Sequence, residues 1–272
     1  MKKTNVLIGI AGVLSLFLIS FLFSGCSTLG YQGYDSSVQN GYDLDELNSY
    51  GEWVNVNNYG NAWRPYAVSD WAPFENGHWT SSTGEWTWVS YEPFGWIVYH
   101  YGYWFDDPNY GWVWIPSDND WSPARVMWMN YDDYVSWAPL PPNGITYGNP
   151  WEANENRHWR SVKSSDFTND NIRAFRVNNQ RVNESSFRKN VINKPPDRNG
   201  IEKVTGRKIV DINIQHEPVK LQKGEIHKMN LPQQENKRVE QHTERIKKEV
   251  LVPKEEFKRQ KSQSNSERNN KK

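Results

Sequence analysis

Residues 101–116 read YGYWFDDPNYGWVWIP, two aromatic runs on either side of a cluster of Asp, Pro, Asn and Gly. Aromatic and β-branched residues flanking such a cluster are the strand–turn–strand pattern of a β-hairpin. Trp112 and Trp114 lie two apart, so both indoles point to one face of their strand and Val113 to the other. Pro116 ends the second strand, where a missing N–H is tolerated.

Similar wording recurs on both sides. Trp53, Trp79 and Trp104 are 26 and 25 residues apart, Trp63, Trp88 and Trp114 are 25 and 26 apart, and Trp71, Trp96 and Trp121 are 25 and 25 apart. A shorter fourth unit supplies Trp128 and Trp137. The first three units each begin with Gly-x-Trp, at Gly51, Gly77 and Gly102. Three columns held in register are the mark of an internal repeat. The expectation is a mainly β domain over residues 50–142, built of consecutive antiparallel hairpins with about eight strands. Four units are few for a solenoid without caps, so a meander forming a curved or closed sheet is preferred. The longest apolar run, WIVYHYGYWF (Trp96–Phe105), is non-polar on both faces and reads as a central or sandwiched strand.

All fifteen tryptophans fall between Trp53 and Trp159. A buried aromatic removes about 150–250 Å² from water, and a Trp that recurs in every unit reads as filling the same core slot in each. Trp86 and Trp112 differ, because their counterpart in the first unit is Asn61. A residue the repeat can do without is a candidate for recognition, although a core role stays open for both. His100, within the apolar run, is the third candidate binding residue.

GEWVNVNNYGNAWRP, NGHWTSSTGEWTWVSYEPFGWIVYHYGYW, YGWVWIP and VSWAPLPP resemble a family of uncharacterised Trp-rich proteins exported by bacteria. More distantly they resemble the YXWGXW-repeat lipoproteins. The resemblance is dense over Tyr50–Pro142 and weaker through DFTNDNIRAFRV and IEKVTGRKIVDINI. It implies a cell-envelope protein and lends no catalytic residue and no ligand.

The first residues agree with export. MKKTN is positively charged, Val6 to Phe23 is apolar, and FSGC places small residues before Cys26, the only cysteine. This resembles the bacterial lipoprotein signal, in which the cysteine is lipidated and becomes the first mature residue, although Phe23 stands where leucine is usual. The competing reading is an uncleaved anchor, since about 18 apolar residues are borderline for spanning a bilayer. Ser27, in place of Asp, points to the outer membrane of a Gram-negative bacterium. A single cysteine also leaves the core without a disulfide framework.

Charge divides the chain. Residues 1–159 carry 5 Lys/Arg against 17 Asp/Glu, and residues 160–272 carry 27 against 15, so the net charge of zero joins an acidic front to a basic back. The expected organisation is a signal (1–25), a flexible tether (26–49), the Trp-rich hairpin domain (50–142), a linker (143–163), a small β-rich segment (164–232) and a charged helical or disordered tail (233–272). Within the back half, IRAFRV, SFRKNVI and KIVDINI read as short strands and NGIEKVTGR as a short helix stopped by Gly206. QENKRVEQHTERIKKEV reads as a solvated helix ending before Pro253, with disorder beyond. Outside the cytoplasm the basic tail does not point to nucleic acid.

There is no Gly-rich phosphate loop, no Cys/His metal spacing and no Gly-x-Ser-x-Gly elbow in the sequence. No catalytic residue, metal or cofactor is assigned. Two functions compete: a non-catalytic, lipid-anchored module that binds an envelope glycan or protein or serves structurally, and a polysaccharide hydrolase using paired carboxylates from Glu52, Glu85 and Glu92.

Overall fold

In every unit of the repeat a hairpin sets one tryptophan directly across from another. The computed structural model describes residues 44–270 apart from 118–120, 143–144, 153, 179–190 and 222–223, with backbone alone for Asp45, 217–228 and 264–270. The four antiparallel hairpins are β1 (Gly51–Val56) with β2 (Gly60–Pro65), β3 (Gly77–Ser82) with β4 (Glu85–Ser90), β5 (Tyr103–Asp107) with β6 (Gly111–Ile115), and β7 (Val126–Tyr131) with β8 (Tyr134–Pro139). Their registers place Trp53 opposite Trp63, Trp79 opposite Trp88, Trp104 opposite Trp114 and Trp128 opposite Trp137. Directly opposed side chains are the pairs that stabilise a sheet face. Each hairpin therefore delivers two indoles to the same side.

The Gly-x-Trp motif follows from that pairing. A Cβ at Gly51 would lie 2.4 Å from the Trp63 indole, one at Gly77 2.6 Å from Trp88, and one at Gly102 2.6 Å from Trp114. The second indole of each hairpin thus lies across the glycine backbone, and any side chain there would overlap it. The fourth hairpin has Val126 at this position, and its Trp137 indole N–H donates to the Phe74 carbonyl at 3.1 Å.

The hairpins do not follow one another as a single meander, and the sheets do not close into a barrel. The first and third hairpins join through β2 and β6 in a four-stranded sheet of order β1-β2-β6-β5. Trp63 opposite Trp114 is the register contact between them. β3 and β4 remain a separate ribbon, and β9 (Arg160–Lys163) extends the last hairpin to β7-β8-β9. A further ribbon pairs β10 (Gln215–Leu221) with β11 (Gly224–Asn230).

The indole faces of these sheets meet in one core. Trp63, Trp71, Trp79, Trp88, Trp104, Trp114 and Trp137 are buried there with Phe74, Phe94 and Tyr99. Rings meet edge to face, as at Trp79–Trp137 (5.6 Å, 83°) and Trp63–Phe94 (4.9 Å, 65°), the arrangement their quadrupoles favour. The column of Trp63, Trp88 and Trp114 is wholly buried. In the other two columns Trp53, Trp96 and Trp121 are only partly buried against the cluster.

The apolar run Trp96–Phe105 departs from the expected strand. Gly95–Val98 forms a short helix, α2, and the strand β5 starts only at Tyr103. Tyr99 N–H donates to the Gly95 carbonyl and Tyr101 N–H to Ile97. A turn buries Ile97, Val98, Tyr99 and Tyr101 together, which satisfies an all-apolar sequence as well as a sandwiched strand does.

The ends of the chain pack onto this core. Asp45–Asn48, assigned by sequence to the tether, form helix α1, with Leu44 and Leu47 buried and the Leu47 carbonyl accepting the Trp63 indole N–H at 3.0 Å. IRAFRV and KIVDINI are not strands: Ile172–Phe175 is a 3-10 turn, and Asp211 makes an isolated bridge to Ser81. Most of SFRKNVI lies outside the described residues. Helix α3 (Arg198–Thr205) is capped by Asp197, whose carboxylate accepts from Gly200 N–H, and ends at Gly206 with φ 65°. Helix α4 (Gln233–Glu249) buries Ile246, and Val250 at its end is buried too. Beyond Pro253, where sequence suggests disorder, helix α5 (Lys254–Asn270) sets Phe257 against the Tyr66 ring at 5.1 Å. All described residues belong to one compact unit.

Candidate functional site

Within β4 and β6, the two tryptophans on the same strand face have different fates. Trp88 and Trp114 are 0% and 2% exposed, whereas Trp86 and Trp112, two residues earlier, are partly buried at the rim of the core. Each of the outer pair lines a surface cleft.

The Trp86 cleft has a volume of about 510 Å³ and is shared with Trp128. Its far wall is Lys194–Arg198. The Trp86 indole N–H donates to the Pro196 carbonyl at 2.8 Å, and its ring stands edge-on to Phe167 at 4.8 Å. These contacts fix the indole plane. Pro195, beside Pro196, is exposed.

The Trp112 cleft has a volume of about 410 Å³. Trp71, Tyr110, Trp112 and Phe257 provide its aromatic surface. Trp112 is held edge-on to His158 at 5.9 Å, and His158 stacks on Tyr147 at 4.1 Å. Part of the remaining wall is charged. Arg160, 2% exposed, lies 2.6 Å from Glu75, which also pairs with Arg176. Arg157 pairs with Asp106 at 3.2 Å. Both clefts lie within the usual range of ligand pockets, about 300–1,000 Å³.

His100 belongs to neither cleft. It is fully buried, its Nδ1–H donates to the Ser122 carbonyl at 2.8 Å, and Trp121 stacks on it at 5.4 Å. Burial lowers its pKa to about 4, which keeps the ring neutral inside the core. The three carboxylates considered for hydrolysis sit in different surroundings. Glu52 pairs with Arg64 at 2.8 Å and Lys261 at 3.2 Å, Glu85 is exposed at the head of β4, and Glu92 is buried. Glu92 accepts the Trp71 indole N–H at 2.5 Å, the Asn76 amide at 3.0 Å and the Tyr99 hydroxyl. Burial raises its pKa to about 7, against the pull of those hydrogen bonds.

Sequence reasoning missed Glu75, Arg160 and Arg176; the two arginines lie 85 and 101 residues beyond Glu75 and meet it only through the fold. The only available signal was the excess of arginine just after residue 157. Cys26 and the apolar run before it lie outside the described residues. Among the described residues no helix is long and apolar enough to cross a membrane, and no group of three His, Cys, Asp or Glu is placed to hold a metal ion.

Fold and clefts together define a Trp-cored hairpin-repeat domain with charged, aromatic surface clefts. Residues 44–144 match a family of unknown function (DUF6600), a span from Leu44 of the core to just beyond β8. No curated protein and no solved structure matches the chain.

Proposed function

We propose that this chain is a non-catalytic, lipid-anchored module of the cell envelope that binds glycan through its outer tryptophans. The observation that carries the reading is the split within β4 and β6: Trp88 and Trp114 close the core, while Trp86 and Trp112 are held at the surface in clefts. An indole held in place by its neighbours meets a ligand at little entropic cost, and an indole face suits the C–H side of a sugar ring. The anchor is Cys26, lipidated after signal cleavage, and Ser27 in place of Asp supports sorting to the outer membrane. Blocking lipoprotein signal processing accumulates the precursor, and Cys26→Ala abolishes fatty-acid labelling.

The binding experiment is a pull-down on immobilised peptidoglycan and envelope polysaccharides. Trp86→Ala and Trp112→Ala should each weaken retention by about 1–3 kcal/mol, the size of a stacking contact on an aromatic side chain, while lowering the melting temperature less than Ala at the wholly buried Trp88 or Trp114. Retention unaffected by both replacements, or none by any polysaccharide, rejects the reading.

A further inference from the structure

The Trp112 cleft carries more positive than negative charge. Four guanidinium groups line it, from Arg64, Arg157, Arg160 and Arg176, against the carboxylates of Asp70, Glu75 and Asp106. Arg64 is satisfied elsewhere, by Glu52 at 2.8 Å and the Tyr110 carbonyl at 3.0 Å. Arg157 has Asp106. Glu75, in contrast, serves Arg160 and Arg176 together and has Arg173 at 3.7 Å as well. Arg173 also reaches Asp70 at 3.1 Å. Three guanidinium groups thus share two carboxylates, an excess of one positive charge.

Arg160 is where that excess is buried. Its Nη1 donates to the carbonyls of Arg157 at 2.8 Å and Trp159 at 2.9 Å. Its Nη2, and its Nε despite lying 2.6 Å from Glu75, are buried without a well-formed hydrogen bond among the described residues, and so is Oε2 of Glu75. A buried charged donor left unpaired is costly, and burial lowers the Arg160 pKa to about 10 even with Glu75 alongside. The fork of a guanidinium matches the two oxygens of a carboxylate. One missing negative charge calls for a monoanion, where a phosphate would bring about −1.5 to −2. The aromatic wall of Trp112 stands in the same cleft.

We infer that the Trp112 cleft binds a carboxylate-bearing saccharide, such as a uronic acid, with its ring on Trp112 and its carboxylate on Arg160 and Arg176. The inference rests on the glycan reading above and names the sugar class for one of its two clefts.

The test titrates the full chain with a galacturonic acid trimer, the matching neutral galactose trimer, and acetate. The acidic trimer should bind at least about tenfold more tightly than the neutral one, the worth of one charge-assisted hydrogen bond, and added salt should shrink that advantage. Arg176→Gln, whose side chain is 40% exposed, should remove the preference for acid in a protein that still unfolds cooperatively, Arg160 remaining as the partner of Glu75. Trp112→Ala should weaken the acidic trimer while acetate binds weakly throughout. Equal affinities for the two trimers, a preference that survives Arg176→Gln, or acetate binding as tightly as the acidic trimer would each overturn the inference. Neutral trimer binding that is lost in Trp86→Ala, with no acid preference, leaves the glycan reading standing and overturns this assignment alone.

Discussion

Glu92 places a carboxyl group among the indoles, where water cannot solvate its charge. Burial raises its pKa from 4.5 to about 7, even though Trp71, Asn76 and Tyr99 all donate to it. A carboxyl with a folded pKa above its unfolded one stabilises the fold while protonated. That contribution is complete below about pH 4.5 and is lost as pH rises through 7. At about 1.4 kcal/mol per pH unit the loss amounts to roughly 3 kcal/mol. Glu92→Gln keeps an acceptor for Trp71 and Asn76 and carries no charge, while the titration of buried His100 is common to both proteins. Urea denaturation should therefore show the stability of the variant relative to the parent rising between pH 5 and 8, with the largest difference at pH 8. The glycines make a second test. A Cβ at Gly77 would come within 2.4 Å of the Val89 carbonyl and 2.6 Å of the Trp88 ring. Gly77→Ala should therefore cost at least about 1–3 kcal/mol, the usual penalty for overpacking a core, measured as a shifted denaturation midpoint.

At the scale of elements, the hairpins were legible because Trp and Gly recur at fixed spacing and each hairpin needs only local pairing. What the repeat does not encode is which hairpins join. The partnership of β2 with β6 skips three strands and rests on Trp63 meeting Trp114. The run Trp96–Phe105 misled because a short stretch apolar on every side has no period to separate helix from strand. For α4 the sequence carries a thin apolar stripe of Val239, Ile246 and Val250, which reads as docking only once Ile246 and Val250 are seen in the core. The same helix is tied by charge at its first turn. Glu235 lies 3.1 Å from His78 on β3 and 3.0 Å from Arg238. Burial works to raise the Glu235 pKa, but the hydrogen bond from His78 and the charges of His78 and Arg238 together bring it below the ordinary 4.5. A depressed carboxylate contributes stability above its unfolded pKa and loses it as pH falls through the folded one. Amide-exchange protection of Gln233–Glu249, corrected for intrinsic rates, should accordingly fall below about pH 4.5. Glu235→Gln should show weaker protection already at neutral pH and a smaller loss on acidification, since Glu244 on the same helix keeps its own depressed carboxylate.

For the molecule as a whole, the split between an acidic front and a basic back is largely internal attachment. Arg160 and Arg176 meet Glu75, Arg173 meets Asp70 and Lys261 meets Glu52, each joining a base after residue 159 to an acid before it. The apolar core crosses the same division. Phe167 is fully buried and touches Trp79, Trp86, Trp128 and Trp137. Val162, Ile172, Ile201, Ile246 and Val250 are in the same cluster, as are Leu44 and Leu47 from before β1. Residues 50–142, which by sequence should fold alone, therefore lack part of their own core. Phe167→Ala removes an aromatic lying 25 residues beyond that span and should cost about 3–5 kcal/mol, as much as a core Trp. That is a large share of the 5–15 kcal/mol typical of a domain. The isolated 50–142 fragment forfeits this contribution together with those of α1 and α4. It should show weak near-ultraviolet dichroism from its tryptophans and no cooperative urea transition, whereas residues 44–270 unfold in one step. A 50–142 fragment that unfolds cooperatively at the midpoint of the longer chain would mean that the indoles pack well enough without the segments around them.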